Sequence, residues 1–221
     1  MNKFIKVLSK PCFIILFLFS LGCDQASEKK SENDNLQNSF DGINRIYEGK
    51  LDSKVTIITY ESLTCGHCAD FHTNIYPKLK KEFIDTGIVK IEFRHFPLDG
   101  AALNASKIAQ CRNDGKSDVL NFLFSNQKKW AIGETVETAN ENLKKLLKDE
   151  NIAIDFEKCT NNKKIEDYVL NDRIEGVKKF KVNATPTIII NNKKFDKSLN
   201  YKNLKKSNLM VLNHLQKRPT F

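Results

Sequence analysis

The apolar residues of the chain follow two patterns, extended runs and helical spacing. The places where one pattern gives way to the other mark the boundaries between predicted strands and helices. Extended runs rich in β-branched residues cover residues 55–60 and 88–94, which is typical of strands. Between them the apolar residues recur at helical spacing, at Phe71, Ile75, Leu79 and Phe83. Pro77 is expected to kink this helix, because proline lacks an N–H and clashes with the preceding turn. Strand, helix and strand of these lengths predict a parallel βαβ unit.

From about residue 100 to 181 the spacing of apolar residues is helical throughout. Four helices are predicted there, marked by the apolar residues of 101–111, 119–130, 143–147 and 165–180. The aromatic residues of this segment are most simply its core. For Trp130 the alternative is a place in a substrate groove.

Two further extended runs, 182–190 and 193–195, are joined by Asn191-Asn192, a pair that suits a hairpin turn with positive φ. A last amphipathic helix is predicted around Leu204, Leu209, Leu212 and Leu215. The expected fold class is therefore α/β, with a helical insertion at about 100–181. It separates the βαβ half from a half built of a β-hairpin and the C-terminal helix.

The N-terminal region predicts export. Lysines precede a short apolar run in residues 1–23, as in a signal peptide, and that run is too short for a confident membrane span. The last four of these residues, ending in Cys23, resemble a bacterial lipoprotein signal, in which this cysteine is lipidated. Simple cleavage and an uncleaved anchor remain alternatives. Residues 24–41 are polar and predict a flexible tether, and residues 42–221 predict a single folded domain.

The charge of the chain narrows the choice of partners. It has 36 Lys and Arg against 27 Asp and Glu, a formal net charge of +9. The lysines are scattered among acids without clustered arginine and interleaved aromatic residues, so no nucleic-acid partner is expected. No Gly-rich phosphate loop occurs, and no nucleotide, flavin or metal cofactor is expected.

The segment Cys65-Gly66-His67-Cys68 lies where the first strand passes into a helix. A helix N-terminus favours an anion, and the thiolate is the nucleophile of disulfide exchange, so this placement predicts redox chemistry. We assign Cys65 as the attacking sulfur and Cys68 as the resolving one. His67 is expected to bond or charge-pair with the Cys65 thiolate, and Gly66 to let a partner backbone approach. The alternatives are a structural disulfide or half of a zinc site, which would need two more ligands.

Cys111 and Cys159 lie on predicted helices of the insertion. An exported chain meets oxidising conditions, where unpaired thiols are unusual. A structural disulfide between the two is the economical interpretation. Two buried free thiols or a second redox pair remain alternatives.

These features together resemble the DsbA-like thiol-disulfide oxidoreductases of the thioredoxin-fold superfamily. The resemblance covers about residues 42–215 and is carried by 55–71, 76–79, 93–98 and 176–195. It implies that Pro186 is cis and faces the cysteine pair, and that Thr185 presents its backbone to substrate. It also implies that Glu61 corresponds to a buried acid that relays protons, and that Cys111 and Cys159 match a disulfide of one branch.

The resemblance implies a donor of disulfides to cysteine-containing exported proteins, reoxidised by a quinone-coupled membrane partner. The protein would be a monomer in the periplasm, tethered to the inner membrane by Cys23 or an N-terminal anchor. One departure is Gly66-His67, where DsbA itself has Pro-His; this dipeptide matches protein disulfide isomerases. The alternatives are therefore a disulfide reductase or isomerase and, from another class, a copper(I)-handling protein that uses Cys65 and Cys68 as ligands.

Overall fold

The computed structural model describes residues 39–40 and 42–216. The predicted signal peptide, Cys23 and most of the predicted tether lie outside the described residues. At the end of the tether range, Ser39–Phe40 forms a short strand, β1, which pairs antiparallel with β2, Ile43–Asn44. In the described part of the chain, no helix is long and apolar enough to cross a membrane.

A five-stranded sheet forms the centre of the domain. Its order is β3-β5-β4-β6-β7, and the strands are β3 Ile46–Glu48, β4 Val55–Glu61, β5 Val89–His95, β6 Thr187–Ile190 and β7 Lys193–Lys194. β4 and β5 are parallel, whereas every other pair in this sheet is antiparallel. The predicted βαβ unit is confirmed, and β4, in the middle of the sheet, leads directly into the cysteine motif.

The hairpin between β6 and β7 turns at Asn191 and Asn192. Both residues have positive φ, 43° and 64°, a conformation that asparagine tolerates better than most residues. The Asn191 side chain also accepts a hydrogen bond from Thr56 N at 2.7 Å. The turn is therefore hydrogen-bonded to the start of β4, at the end of the sheet that lies opposite the cysteine motif.

The chain stays helical from residue 66 to 84, but its winding changes three times. The segments are α1 Gly66–Asp70, a π-helical turn Phe71–Ile75, α2 Tyr76–Leu79 and a second π-helical turn Lys80–Ile84. The first π-helical turn ends two residues before Pro77, whose nitrogen cannot donate a hydrogen bond to the carbonyl of Thr73. The expected disturbance at Pro77 thus takes the form of a π turn within a continuous helix. Gly87, with φ of +76°, ends the segment.

The helical insertion is confirmed. It comprises α3 Gly100–Gln110, α4 Asp118–Ser125, α5 Gln127–Trp130, α6 Val136–Asp149, α7 Phe156–Thr160 and α8 Lys163–Phe180, and α9 Tyr201–Gln216 follows the hairpin. The single helix predicted over 119–130 is broken at Asn126. Trp130 is fully buried, and its Nε1 donates to Leu123 O at 2.9 Å. Trp130 therefore belongs to the core of the insertion.

Candidate active site

The cysteine motif lies at the C-terminal end of β4. Cys65 is the N-cap residue of α1, in extended conformation, and its carbonyl accepts hydrogen bonds from Cys68 N and Ala69 N. Both motif cysteines are free thiols; Cys65 is partly exposed, whereas Cys68 is fully buried. Nothing lies within 4 Å of a Cβ added to Gly66. Only the first sulfur is therefore open to a partner, and the backbone beside it is accessible.

The surroundings of Cys65 stabilise its thiolate. They lower the pKa of this thiol from an ordinary value near 9 to about 5. The largest cause is the hydrogen bond from the Cys68 thiol, followed in the same direction by the Thr185 side chain and the backbone N–H groups of Cys68 and His67; partial burial opposes them. At neutral pH, Cys65 is therefore mainly a thiolate.

Thr185 and Pro186 lie directly beside Cys65. The peptide bond between them is cis, and the protonated Cys65 thiol donates to Thr185 O with a sulfur-to-oxygen distance of 3.3 Å. The pairing of Thr187 with Tyr60 brings the start of β6 alongside the end of β4. The hydroxyl of Thr185 is buried without a partner in the part of the chain that the structure describes. It is thus available to donate to the sulfur once Cys65 has lost its proton.

Cys68 has the opposite electrostatic environment. Burial is the largest cause that raises the pKa of its thiol far above the ordinary range, and the hydrogen bond to Cys65 and the nearby charge of Glu61 act in the same direction. The two sulfurs, separated by two residues in sequence, therefore prefer different protonation states. Negative charge belongs on Cys65, and the proton belongs on Cys68.

A buried carboxylate–imidazole pair is part of this environment. Glu61 and His72 are both almost fully buried, and Glu61 Oε2 lies 2.8 Å from His72 Nε2. The other ring nitrogen, Nδ1, lies 2.8 Å from Asn121 Oδ1, and the ring stacks on Phe124 with centroids 4.1 Å apart. His72 was not predicted as a site residue. Its signal is its position, four residues after Cys68 and so on the same helix face.

Asn121 selects the tautomer of His72. Its Nδ2 donates to Ser117 Oγ at 3.0 Å, so its Oδ1 must accept, and His72 Nδ1 must carry a proton. The Nε2 nitrogen is then the one that faces Glu61. A buried carboxylate in contact with a buried imidazole thus acts on the resolving sulfur, since the charge of Glu61 raises the pKa of Cys68.

The side chain of His67 is exposed, and its backbone N–H is one of the groups that lower the pKa of Cys65. The bond or charge pair between the His67 side chain and the Cys65 thiolate stays a prediction. Gln127, on α5, was not predicted either. Its Nε2 donates to Leu63 O at 2.8 Å and to Cys65 O at 3.0 Å, so the insertion supports the backbone of the motif from the side.

At the end of the central strand β4, the structure thus brings together the partly exposed Cys65 thiolate, the buried Cys68 thiol and the cis-proline loop. The sequence profile of the family described as Thioredoxin matches residues 42–207 of the chain. The chain belongs to the thioredoxin family.

Disulfide bond formation protein D of Bacillus subtilis is 30% identical to this thioredoxin-family chain over 176 residues, 72% of this chain and 73% of that protein. A Rickettsia bellii protein, provisionally named a protein-disulfide oxidoreductase, is 29% identical over 147 residues, 65% of this chain. The match covers 55% of that relative, so the chain spans about half of its length. The crystal structure of Wolbachia pipientis alpha-DsbA1 superposes with a TM-score of 0.68 at 28% identity, covering 82% of this chain and 96% of that one. The chain is thus a DsbA-like member of the thioredoxin family.

The remaining two cysteines of this thioredoxin-family domain are joined. Cys111 and Cys159 form a disulfide between the end of α3 and α7, with a Cα–Cα distance of 5.6 Å. In the described ranges, 39–40 and 42–216, no group of three or more His, Cys, Asp or Glu side chains is placed to hold a metal ion. The motif cysteines are therefore the thiols that remain for exchange chemistry in this part of the chain.

We expect the ultraviolet absorbance of the reduced protein to report one thiolate with a midpoint at about pH 5, assigned to Cys65. Because the pKa of Cys65 is lowered on folding, its thiolate stabilises the folded reduced form fully above the ordinary thiol pKa. That stabilisation is lost as pH falls through about 5. Urea unfolding of the reduced and oxidised forms across this range checks the linkage, since the oxidised form has no such titration. A Cys65 midpoint above pH 8 would contradict the assignment.

Proposed function

We propose that this protein is a thiol-disulfide oxidoreductase that donates its Cys65–Cys68 disulfide to cysteines of exported proteins. The observation that carries the proposal is the division of roles between the two sulfurs. Stabilising the Cys65 thiolate favours the reduced protein and so makes the disulfide a better oxidant. The names of the relatives from Bacillus subtilis and Wolbachia pipientis point to the same chemistry.

The reaction begins with a substrate thiolate that attacks Cys65 Sγ of the oxidised protein. The intramolecular sulfur–sulfur bond breaks, a mixed disulfide forms at Cys65, and Cys68 leaves with the electron pair. A second substrate thiolate then attacks the substrate sulfur of the mixed disulfide. The substrate leaves with its new disulfide, and Cys65 remains as a thiolate. Two electrons have passed from the substrate to the cysteine pair.

The first step leaves charge on Cys68, where burial opposes it. We assign Glu61, which lies 2.8 Å from His72 Nε2 and whose charge acts on Cys68, as the residue that relays a proton to this buried sulfur as it leaves and from it during reoxidation. Thr185 contributes by holding Cys65 and by offering a carbonyl for an extended substrate backbone.

The proposed setting is the cell envelope. Residues 1–23 have the pattern of an export signal, Cys23 is the proposed lipidation site, and residues 24–41 would tether the domain to the inner membrane. There, a quinone-coupled membrane partner would accept the two electrons and restore the Cys65–Cys68 disulfide. We propose that the protein works as a monomer.

The reduction potential of the Cys65–Cys68 pair tests the direction of electron flow. Equilibration with glutathione buffers, followed by mass spectrometry of alkylated protein, should give a value near the oxidising end of the family, about −120 mV. A value near about −270 mV would favour a reductase instead. A variant with Cys111→Ser and Cys159→Ser serves as the control that isolates the motif. Stoichiometric tight binding of copper(I) by the reduced motif would favour metal handling.

A further inference from the structure

A cleft lies beside the cysteine motif, where the insertion meets the loop that carries Cys65. It has a volume of about 290 Å³ and is lined on one side by Thr64, the residue directly before the attacking cysteine. Thr64 Oγ1 donates to Asp99 Oδ2 at 2.7 Å, and Asp99 Oδ1 accepts from Ala102 N at the start of α3. The position of this cleft relative to Cys65 is therefore held by hydrogen bonds rather than by a mobile contact.

Part of the cleft wall consists of small apolar side chains. Ala101, Ala131, Val136 and Ala139 contribute to them. Leu98 and Ile132, each the chain neighbour of a lining residue, are about half exposed, at 52% and 53%. The segments that line the cleft thus also carry exposed apolar side chains.

The rim of the cleft is acidic. Asp99 and Glu134 line it together, and no Lys, Arg or His is among the lining residues. Neither carboxylate is among the ion pairs formed by the described residues, 39–40 and 42–216. Since Asp99 already caps α3 and bonds Thr64, the exposed Glu134 carries the less compensated charge.

We propose that this cleft is a substrate subsite that receives a lysine or arginine side chain close to the cysteine being oxidised. The aliphatic part of such a side chain fits the alanine and valine walls, while its cation meets Asp99 and Glu134. An extended substrate segment advances about 3.3 Å per residue. Thr64 is the residue next to Cys65, so a substrate side chain one or two residues from the bonded cysteine can reach the cleft at Thr64. The inference rests on the proposed function and names the class of substrate that the site prefers.

Kinetics with single-cysteine peptides test the subsite. Each peptide carries lysine, norleucine or glutamate at a position adjacent to its cysteine, and the measured quantity is the rate of mixed-disulfide formation with the oxidised protein. Each rate is divided by the rate with 2-hydroxyethyl disulfide at the same pH, because neighbouring charges also change the pKa of the peptide thiol. We expect the normalised rate for the lysine peptide to exceed that for glutamate by about tenfold, as two to three exposed charge interactions allow. Lysine should also exceed norleucine, which has the same stem without the charge.

The variants Glu134→Gln and Asp99→Asn test the two carboxylates. Asparagine also caps a helix well, so the second change removes charge and keeps the start of α3. The double variant should reduce the lysine-to-glutamate ratio to near one, and about 1 M salt should do the same in the wild type by screening. Glu137→Gln, on the exposed face of α6, is the matched control and should leave the ratio unchanged.

The results distinguish failure of the subsite from failure of the proposed disulfide-donor function. Peptides that react at equal normalised rates, or a ratio that survives in the double variant, would overturn the subsite and leave the proposed function standing. Norleucine equal to lysine would overturn the role of the carboxylates in the same way. If no peptide formed a mixed disulfide at Cys65, the proposed function would fall, and the subsite with it.

Discussion

Replacement of Cys65 by serine is expected to abolish disulfide transfer, whereas replacement of Cys68 by serine should arrest it at the mixed disulfide. A serine hydroxyl at position 65 is neither ionised at neutral pH nor able to form a disulfide, so we expect the rate to fall by about a thousandfold or more. In Cys68→Ser, the Cys65 thiolate still reacts with an activated disulfide, but no internal thiol can release the adduct. Mass spectrometry of intact protein distinguishes the two results.

The asymmetry between the two variants is the decisive part of this prediction. Cys68 is fully buried and Cys65 is not, so an adduct should form at Cys65 only. Circular dichroism of both variants controls for misfolding, since serine differs little in volume from cysteine. An adduct on position 68 of the Cys65→Ser protein, or the absence of an adduct on the Cys68→Ser protein, would show that the assigned order of attack is incorrect.

Loss of the Cys111–Cys159 disulfide is the second change with a large expected effect, and it acts on stability. This bond closes a sequence separation of 48 residues. The chain-entropy model assigns a loop of this length a stabilisation of about 4 kcal/mol. With an m-value of about 2 kcal/mol/M in urea, the unfolding midpoint should fall by about 2 M.

The comparison is cleanest in a background where Cys65 and Cys68 are both serine, so that only one disulfide differs. Cys111→Ala with Cys159→Ala is then compared with the parent by urea unfolding, and reduction of the parent by dithiothreitol should reproduce most of the change. A midpoint that moves by less than a quarter of the expected amount would indicate that helix packing, and not the bond, holds α3 and α7 together.

Much of the fold could be predicted from the sequence, because its signals are local. A few consecutive residues are enough to recognise each of these features: the β-branched runs of β4 and β5, the asparagine pair of the hairpin, and the cysteine motif at the start of a helix. The disturbance at Pro77 was expected from the proline, but its form as π turns was not, and no local signal predicted the break at Asn126.

The site was predictable only in part, for a similar reason. Cys65 and Cys68 follow from their spacing, whereas His72, Asn121 and Gln127 reach the motif from three different segments. No local pattern in the sequence states that Asn121 meets a histidine 49 residues earlier. The backbone N–H of His67 also acts on Cys65, because a helix N-terminus turns its amide groups towards the capping sulfur.

The burial of Cys68 determines the order in which the substrate and the reoxidising partner react with this protein. In the part of the chain that the structure describes, Cys65 is the free thiol that is accessible, so a protein that gives or takes electrons there must be linked at Cys65. A substrate and the reoxidising partner therefore use the same sulfur in turn: the substrate thiolate attacks the oxidised form, and the partner reacts with the Cys65 thiolate of the reduced form. At saturating substrate, the overall rate should be limited by reoxidation, and further reduced substrate should not raise it.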